Sequence, residues 1–332
     1  MTNATVAVIR GDGIGPEVVE SALCVLQAVS FEADFVPVQA GLACFKQHGT
    51  PLPEVTLKTV EAADAVLFGA ITTPPEAPDY PSVILELRRK LDLFANLRPT
   101  TTFPGVGRFG DDPVDILVVR ENTEGIYVQQ GWQESDRAYN LMRRSERACR
   151  RILQLAFEQA KQRGGRLAIA HKANVVKPAD VYWVELAKEV AAEFDVDYSL
   201  EIVDALCTKL ILNPSTFDVI VAPNLYGDIL SDVLAGVAGS LGLCASANLG
   251  KSHALFEPVH GSAPDIAGRG IANPIGAMLS AAMMLEHLGQ REQTMAIQRA
   301  VGKVLAGNIF PPDLGGHAST KAITQAVIEA LA

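Results

Sequence analysis

The chain has 332 residues, 48% hydrophobic and 20% charged, which excludes a disordered or fibrous protein and leaves room for two domains without disulfides. Its net charge of −10, with no run of Lys and Arg to offset it, excludes a dedicated nucleic-acid binder. The longest apolar stretch, 233–247, is glycine-interrupted and shorter than the roughly 20 residues a membrane span needs. Residues 1–4 show no basic start or apolar signal core, so the expectation is a soluble cytoplasmic protein with no membrane partner.

In chain order, a strand over 6–10 leads into Gly11-Asp12-Gly13 and a helix over 17–29. A strand over 65–69 leads into Thr72-Thr73-Pro74, followed by a helix over 83–91. A third strand, 116–119, ends at Arg120-Glu121-Asn122, with a long helix over 140–163 behind it. The fourth, 167–170, ends at His171-Lys172-Ala173-Asn174, before a helix over 179–194. The fifth, 219–222, leads into Asn224-Leu225-Tyr226-Gly227-Asp228 and a helix over 229–238; helices over 274–288 and 318–331 close the chain. Strands alternating with helices define an α/β class with mostly parallel sheets. Each strand is followed by polar residues, and ligands of open α/β sheets bind beyond the carboxyl ends of strands, so these five loops are expected to line a cleft.

Cys24, Cys44, Cys149, Cys207 and Cys244 are odd in number and form no C-x-x-C pair, the usage of small buried side chains in a reducing compartment. The six histidines show no H-E-x-x-H spacing, which argues against zinc. Gly11-Asp-Gly-Ile-Gly-Pro16 fails the Rossmann fingerprint, because the position of its third glycine is Pro16. Pro16 suits the first turn of a helix instead.

Asp228 and Asp232 stand four residues apart, on one face of a helix opened by Gly227. They read either as solvated capping acids or as oxygen ligands for a hard divalent cation, Mg²⁺ or Mn²⁺. Arg88, Arg98 and Arg120 are suited to bidentate capture of carboxylates, and so point to a multiply charged acid. Lys172 and Tyr127 are candidates for proton transfer, a lysine among cations having its charged form disfavoured. The Gly- and Pro-rich segment His260-Gly-Ser-Ala-Pro-Asp265-Ile266 reads as a loop that can cradle a dinucleotide. Asp265 there is placed to bind a ribose diol and repel a 2′-phosphate, which selects NAD over NADP.

These segments together resemble the β-decarboxylating dehydrogenases, the family of isocitrate, isopropylmalate, homoisocitrate and tartrate dehydrogenases. The resemblance runs nearly end to end, through Gly11-Asp-Gly-Ile-Gly-Pro-Glu17, Leu93-Phe-Ala-Asn-Leu-Arg-Pro99, Val119-Arg-Glu-Asn-Thr-Glu-Gly-Ile-Tyr127, Lys172-Ala-Asn174, Asn224-Leu-Tyr-Gly-Asp-Ile-Leu-Ser-Asp232 and Glu257-Pro-Val-His-Gly-Ser-Ala-Pro-Asp265. It implies an isopropylmalate-dehydrogenase-like fold of two α/β domains, not Rossmann. Residues 1–98 plus 252–332 would form the cofactor-side domain, and 99–251 the dimerisation and metal/substrate domain. It also implies a homodimer or larger assembly with active sites shared between subunits, Lys172 and Asp204 entering the neighbour's site.

By the same resemblance, Arg88, Arg98 and Arg120 hold the substrate's carboxylates, and Asp204, Asp228 and Asp232 hold Mg²⁺ or Mn²⁺. Lys172 takes the C2 hydroxyl proton, hydride passes to NAD, CO₂ leaves, and Tyr127 returns a proton to C3. Ile71, Thr72 and Asn174 face the nicotinamide half of the cofactor. Glu257, His260, Gly261, Ser262, Ala263, Asp265, Ile266 and Asn273 enclose the remainder. Lys172 and Asn174 also belong to the substrate set.

Substrate choice is expected from the helix preceding Arg88. Ser82 matches the serine of isocitrate-type members, whereas Ile84 stands where those members usually carry asparagine. Leu85 stands where bacterial homoisocitrate enzymes can carry arginine and isopropylmalate enzymes leucine. Fungal homoisocitrate enzymes combine serine and aliphatics there, as this chain does. Arg-Glu-Asn-Thr-Glu-Gly at 120–125 follows the isocitrate and homoisocitrate branch. The expectation is homoisocitrate ahead of isocitrate. The apolar Ile84 and Leu85 keep the isopropylmalate reaction of leucine biosynthesis as the alternative. A non-catalytic regulatory subunit is the reading of a different class; intact Lys172, Tyr127 and three aspartates speak against it.

Overall fold

The computed structural model describes residues 3–74, 80–107, 109 and 114–331. The chain begins with β1 (Ala4–Gly11), α1 (Gly15–Ala28), β2 (Ala33–Val38), α2 (Leu42–His48), α3 (Glu54–Ala62), β3 (Ala65–Ala70) and α4 (Val83–Lys90). It continues through β4 (Ala95–Thr101), β5 (Asp115–Glu121), β6 (Gly131–Gln133), β7 (Ala138–Asn140), α5 (Glu146–Arg163), β8 (Leu167–His171), α6 (Ala179–Ala191), β9 (Tyr198–Ile202) and α7 (Val203–Leu212). It ends with β10 (Val219–Ala222), α8 (Asn224–Ala238), β11 (Ala245–Leu249), β12 (Ala254–Pro258), α9 (Ile275–His287), α10 (Arg291–Ala306) and α11 (Thr320–Leu331).

Two compact units result, Met1–Leu93 with Thr102–Asp111 and Ala238–Ala332, and Phe94–Thr101 with Asp112–Val237. Residues 238–251, assigned by the expectation to the second domain, group with the first unit, because β11 there pairs antiparallel with β12.

In the first unit the strands run β2-β1-β3-β12-β11, parallel except for the last pair. β3 is buried along its whole length, as a central strand of continuous apolar residues must be when helices cover both faces. Ile9, Val66, Phe68, Leu87, Leu93 and Leu255 form a fully apolar core, against which the half-buried Ile71 and Ile84 pack. In the second unit the order is β4-β5-β10-β8-β9, parallel except for β4 with β5. In each unit the strands are thus mixed and mostly parallel, as the alternation of strands and helices predicts. Among the described residues, no helix is long and apolar enough to cross a membrane.

The structure corrects three local expectations. The helix expected over 140–163 starts at Glu146, where Ser145 caps it by accepting a hydrogen bond from the Ala148 N–H at 3.2 Å. The preceding residues form β7, which pairs with β6. The segment Asn224–Asp228 is not a loop after the fifth strand but the first turn of α8, so Gly227 lies inside that helix rather than opening it. Its N–H already bonds the Pro223 carbonyl at 2.8 Å. Arg120 and Glu121 likewise lie within β5, held there by register with Asn96 and Ala95 of β4.

The failed fingerprint after β1 has a structural purpose. Gly13, at φ +58°, comes so close to the Ser262 carbonyl that a Cβ would sit 1.9 Å from its oxygen. Ile14 N–H donates to the same carbonyl at 2.8 Å. Asp12 turns its carboxylate onto the N–H groups of Leu42, Ala43 and Thr72. Glycine and aspartate therefore pack protein against protein, fixing the 260–265 loop and the start of α2 on the end of β1.

Candidate active site

In the second unit the expected residues meet on Asp228. Arg120, near the end of β5, is almost completely buried. Its Nε and Nη2 donate to the Asn224 side-chain oxygen at 3.1 and 2.8 Å, and its Nη1 pairs with Asp228 Oδ1. Arg98 of β4 donates from Nε to Asn96 at 2.7 Å and from Nη1 to Asp228 Oδ1 at 3.1 Å and Ser231 Oγ at 2.7 Å. Asp232, one turn further along α8, lies 3.9 Å from Arg98. The Tyr127 hydroxyl donates to Asp228 Oδ2 at 2.7 Å, and its ring lies beneath the Arg120 guanidinium at 5.2 Å.

Helix geometry explains the grouping, since positions four apart share a face and α8 turns that face toward the ends of β4 and β5. Partial burial raises the Asp232 carboxyl pKa, with Arg98 opposing and Asp228 adding to the shift. Two carboxylates so close are tolerated because two guanidinium groups stand beside them. Two hard oxygen donors one turn apart suit Mg²⁺ or Mn²⁺ by chemistry. Within one chain they are incomplete: among the described residues no three His, Cys, Asp or Glu gather into a metal-sized group, and Asp204 is not with Asp228 and Asp232.

Asp204 instead stands in the first turn of α7, where the Lys172 ammonium binds it and holds its carboxyl below the ordinary range. Lys172 follows β8, and its backbone N–H donates to the buried Asp180 at 2.8 Å. Asn174 is exposed on the same loop.

The first unit holds the remainder. Arg88, buried at the end of α4, donates from Nε to Asn248 at 3.1 Å and pairs with Glu257 at 3.3 Å. Asn248, fully buried, donates in turn to Glu257 at 2.8 Å. Ser82, just before α4, and Leu85 on it are half-buried, and Ile84 packs on the apolar core. Thr72, which follows Ile71 after β3, shares a 2.7 Å hydroxyl contact with Ser262. Gly261 and Asp265 are exposed, while Ala263 between them and Ile266 just after them are half-buried. Asn273 donates to Asp313 at 3.0 Å. His260 Nδ1 lies 2.9 Å from the Gly261 carbonyl, while its Nε2 is buried without a protein partner, and burial lowers the ring's pKa. An orphaned buried nitrogen on a loop that also exposes a carboxylate suits a ligand with donors and acceptors of its own, which a dinucleotide has.

Sequence reading missed the residues that hold the arginines: Asn96, Asn224, Ser231 and Asn248. All four are buried polar side chains. Asn96, Asn224 and Ser231 stand inside the motifs quoted above, which was the available signal; Asn248 offered only a polar residue at an inward position of a strand.

The family model described as isocitrate/isopropylmalate dehydrogenase matches residues 5–331. The isocitrate/homoisocitrate dehydrogenase of Thermus thermophilus is 46% identical over 329 residues, 98% of each chain. The 3-isopropylmalate dehydrogenase of Methanothermobacter thermautotrophicus is 45% identical over 324 residues, 96% of each. The crystal structure of isocitrate dehydrogenase from Methylococcus capsulatus superposes with a TM-score of 0.94 at 38% identity, covering 99% of both chains. The arginines, aspartates and loops described above thus sit in a chain that belongs to the isocitrate/isopropylmalate dehydrogenase family of β-decarboxylating oxidoreductases.

Proposed function

We propose that the protein carries out NAD-dependent, divalent-metal-dependent oxidative decarboxylation of a 3-substituted malate, favouring homoisocitrate, with isocitrate next. The observation that carries this reading is the cluster on Asp228, where two buried arginines, a tyrosine and a second aspartate converge. Structural proteins rarely bury such a set, because each charge costs several kcal/mol to desolvate unless it is compensated.

Asp228 and Asp232, with Asp204 of a second copy, would hold Mg²⁺ or Mn²⁺; Thr72, His260, Ser262, Asp265 and Asn273 would hold NAD. When bound, the cation supplies charge to the C2 oxygen and the nicotinamide accepts the C2 hydride. Arg88, Arg98 and Arg120 bind the substrate carboxylates, their guanidinium planes fixed beforehand by asparagines. Lys172 takes the proton from the C2 hydroxyl, which lets that carbon become a ketone. The bond from C3 to its carboxylate then breaks, CO₂ departs, and the electron pair left behind is held as an enolate beside the arginines. Tyr127 gives its phenolic proton to C3, recovering it from solvent. A homodimer fits this arrangement, since Asp204 and Asp228 do not meet in one chain and the stacked Trp132–Tyr139 pair of the β6–β7 hairpin is exposed.

A second reading, 3-isopropylmalate as substrate, draws on the apolar Ile84 and Leu85 of α4. Measuring kcat/KM on homoisocitrate, isocitrate, 3-isopropylmalate and tartrate, with NAD and with NADP, decides between them. We expect homoisocitrate to rank first, NAD to be preferred, and EDTA to abolish turnover reversibly. Turnover that survives EDTA would end the metal-dependent reading, and a first rank for 3-isopropylmalate would establish the second one.

A further inference from the structure

The string 119–127 carries two buried acids, Glu121 and Glu124, that take no part in the chemistry described above. Glu121, the last residue of β5, turns its carboxylate back onto its own loop. Its Oε1 accepts from the Thr123 N–H at 2.7 Å and the Thr123 hydroxyl at 2.6 Å, and its Oε2 from the Glu124 N–H at 2.9 Å. Glu124 reaches a more distant stretch, the residues that lead into α5. Its Oε2 accepts the Ser145 N–H at 2.7 Å, and its Oε1 accepts the Ser145 hydroxyl at 2.9 Å and pairs with Arg143 Nε at 3.1 Å. Next to this contact the backbones of Gly125 and Arg143 exchange hydrogen bonds at 3.0 and 3.3 Å.

Tyr127, three residues after Glu124, stands on the single 3₁₀ turn Ile126–Val128, from which its hydroxyl reaches Asp228 Oδ2 at 2.7 Å. The chain from Gln129 to Leu141 is exposed, so Glu124 is the last buried side chain before the β6–β7 hairpin. One 3₁₀ turn has little stiffness of its own. Apart from its contacts with Asp228 and Arg120, the phenol is therefore placed by whatever holds residues 124 and 125. We propose that Glu124 is a positioning residue for Tyr127, a carboxylate that ties the tyrosine's turn to the start of α5. The alternative is a helix cap, since a negative charge near a helix N-terminus is favourable. Yet α5 already has its cap in Ser145, whose hydroxyl oxygen accepts from the Ala148 N–H. Nor does capping call for Arg143, which lies outside the helix and shares its backbone bonds with Gly125. An ionised acceptor makes the tie stiff, because its hydrogen bonds are about twice as strong as neutral ones.

The inference rests on the proposed role of Tyr127 as the acid that protonates C3. The reverse of that step removes a C3 hydrogen from the 2-oxo acid product. Enzyme-dependent exchange of the C3 hydrogens of 2-oxoadipate in D₂O, followed by proton NMR with the full chain, Mg²⁺ and NADH, therefore reads the placement of the phenol. Glu124→Gln keeps the shape but turns one acceptor into a donor, so it cannot serve both the Ser145 N–H and the Ser145 hydroxyl with Arg143. We expect C3 exchange to fall about tenfold or more, with substrate and cofactor KM within about threefold. Ser145→Ala removes the cap of α5 but leaves Glu124 the residue-145 N–H and Arg143; it should lower Tm and keep exchange within about threefold of the parent. Unchanged exchange in Glu124→Gln, or an equal loss in Ser145→Ala, would overturn the proposal. Should Glu124→Gln not fold, Arg143→Ala takes its place: it strips one partner from Glu124, exchange is expected to slow about threefold, and a parental rate would count against positioning. Amide hydrogen exchange at Gly125 reads the tie without any turnover. It is expected to speed up at least tenfold in Glu124→Gln, and unaltered protection would show that the tie does not exist. Parental C3 exchange in Tyr127→Phe would end the proton-donor role of Tyr127, while Gly125 protection still judged the tie.

Discussion

Arg120 shows how much arrangement one buried charge demands. Its guanidinium is gripped on one edge by Asn224 and on the other by Asp228, with the Tyr127 ring below. The side chain reaches that position only because α8 has no Cβ at Gly227. One added there would lie 2.7 Å from Arg120 Cγ and 2.8 Å from its Cβ, atoms too near the backbone to swing away. We therefore expect Gly227→Ala to cost about 1–3 kcal/mol, read as a lower Tm, and to reduce kcat at the same time by displacing Arg120. A Tm equal to that of the parent would mean that the helix yields at no cost and that the contact is not tight. This demand explains why Gly227, which reads in sequence as a helix opener, lies inside the first turn.

At the scale of elements, α4 carries the specificity question. Ser82, Leu85 and Arg88 follow one another by single turns, so the chemistry of position 85 is presented beside the arginine. Ile84 has a second duty, since it packs on the apolar core of the first unit. A substitution at Leu85 therefore carries less structural cost than one at Ile84. Leu85→Arg is expected to raise the kcat/KM ratio of homoisocitrate over 3-isopropylmalate by about tenfold or more. A ratio moving the other way would show that this face of α4 does not meet the substrate's tail. The elements legible in the sequence were those with a strong pattern. β3 and β10 are uninterrupted apolar runs, and α1 announces itself with Pro16 in its first turn. Some of the missed strands have weak patterns for identifiable reasons. β2 and β4 each contain a proline, Pro37 and Pro99, which normally argues against a strand, and β9 is a largely exposed strand at the edge of its sheet. Arg88, Arg98, Arg120, Asp228 and Asp232 could be named from their motifs. Their supports could not, because Asn224, Ser231 and Asn248 lie more than a hundred residues from the arginines they hold, and only Asn96 stands near its own.

At the scale of the whole molecule, pH dependence follows from burial. His287 on α9 and His171 at the end of β8 are both held below the ordinary histidine pKa, chiefly by burial; Asp180 and Glu201 partly oppose the shift at His171. The unfolded chain therefore binds these protons first as pH falls, so stability is full above the ordinary histidine value and declines below it. We expect Tm to hold steady at neutral pH and to drop as pH falls below the ordinary histidine value of about 6.5. The double variant His171→Gln/His287→Gln should flatten that slope, and an equally steep slope in it would assign the decline to other groups.

The first unit is discontinuous in sequence, and its strand β12 lies between β3 and β11 although it is encoded far beyond β3. On the ribosome, β1, β2 and β3 emerge early and pair among themselves, leaving one flank of β3 with unsatisfied backbone amides and carbonyls until β12 leaves the exit tunnel. The second unit, all of whose strands are translated before β11, closes first. A ribosome stalled when residue 237 has just left the exit tunnel, with β12 still inside it, would hence display a finished module tethered to a half-built one, the kind of nascent chain that chaperones shield.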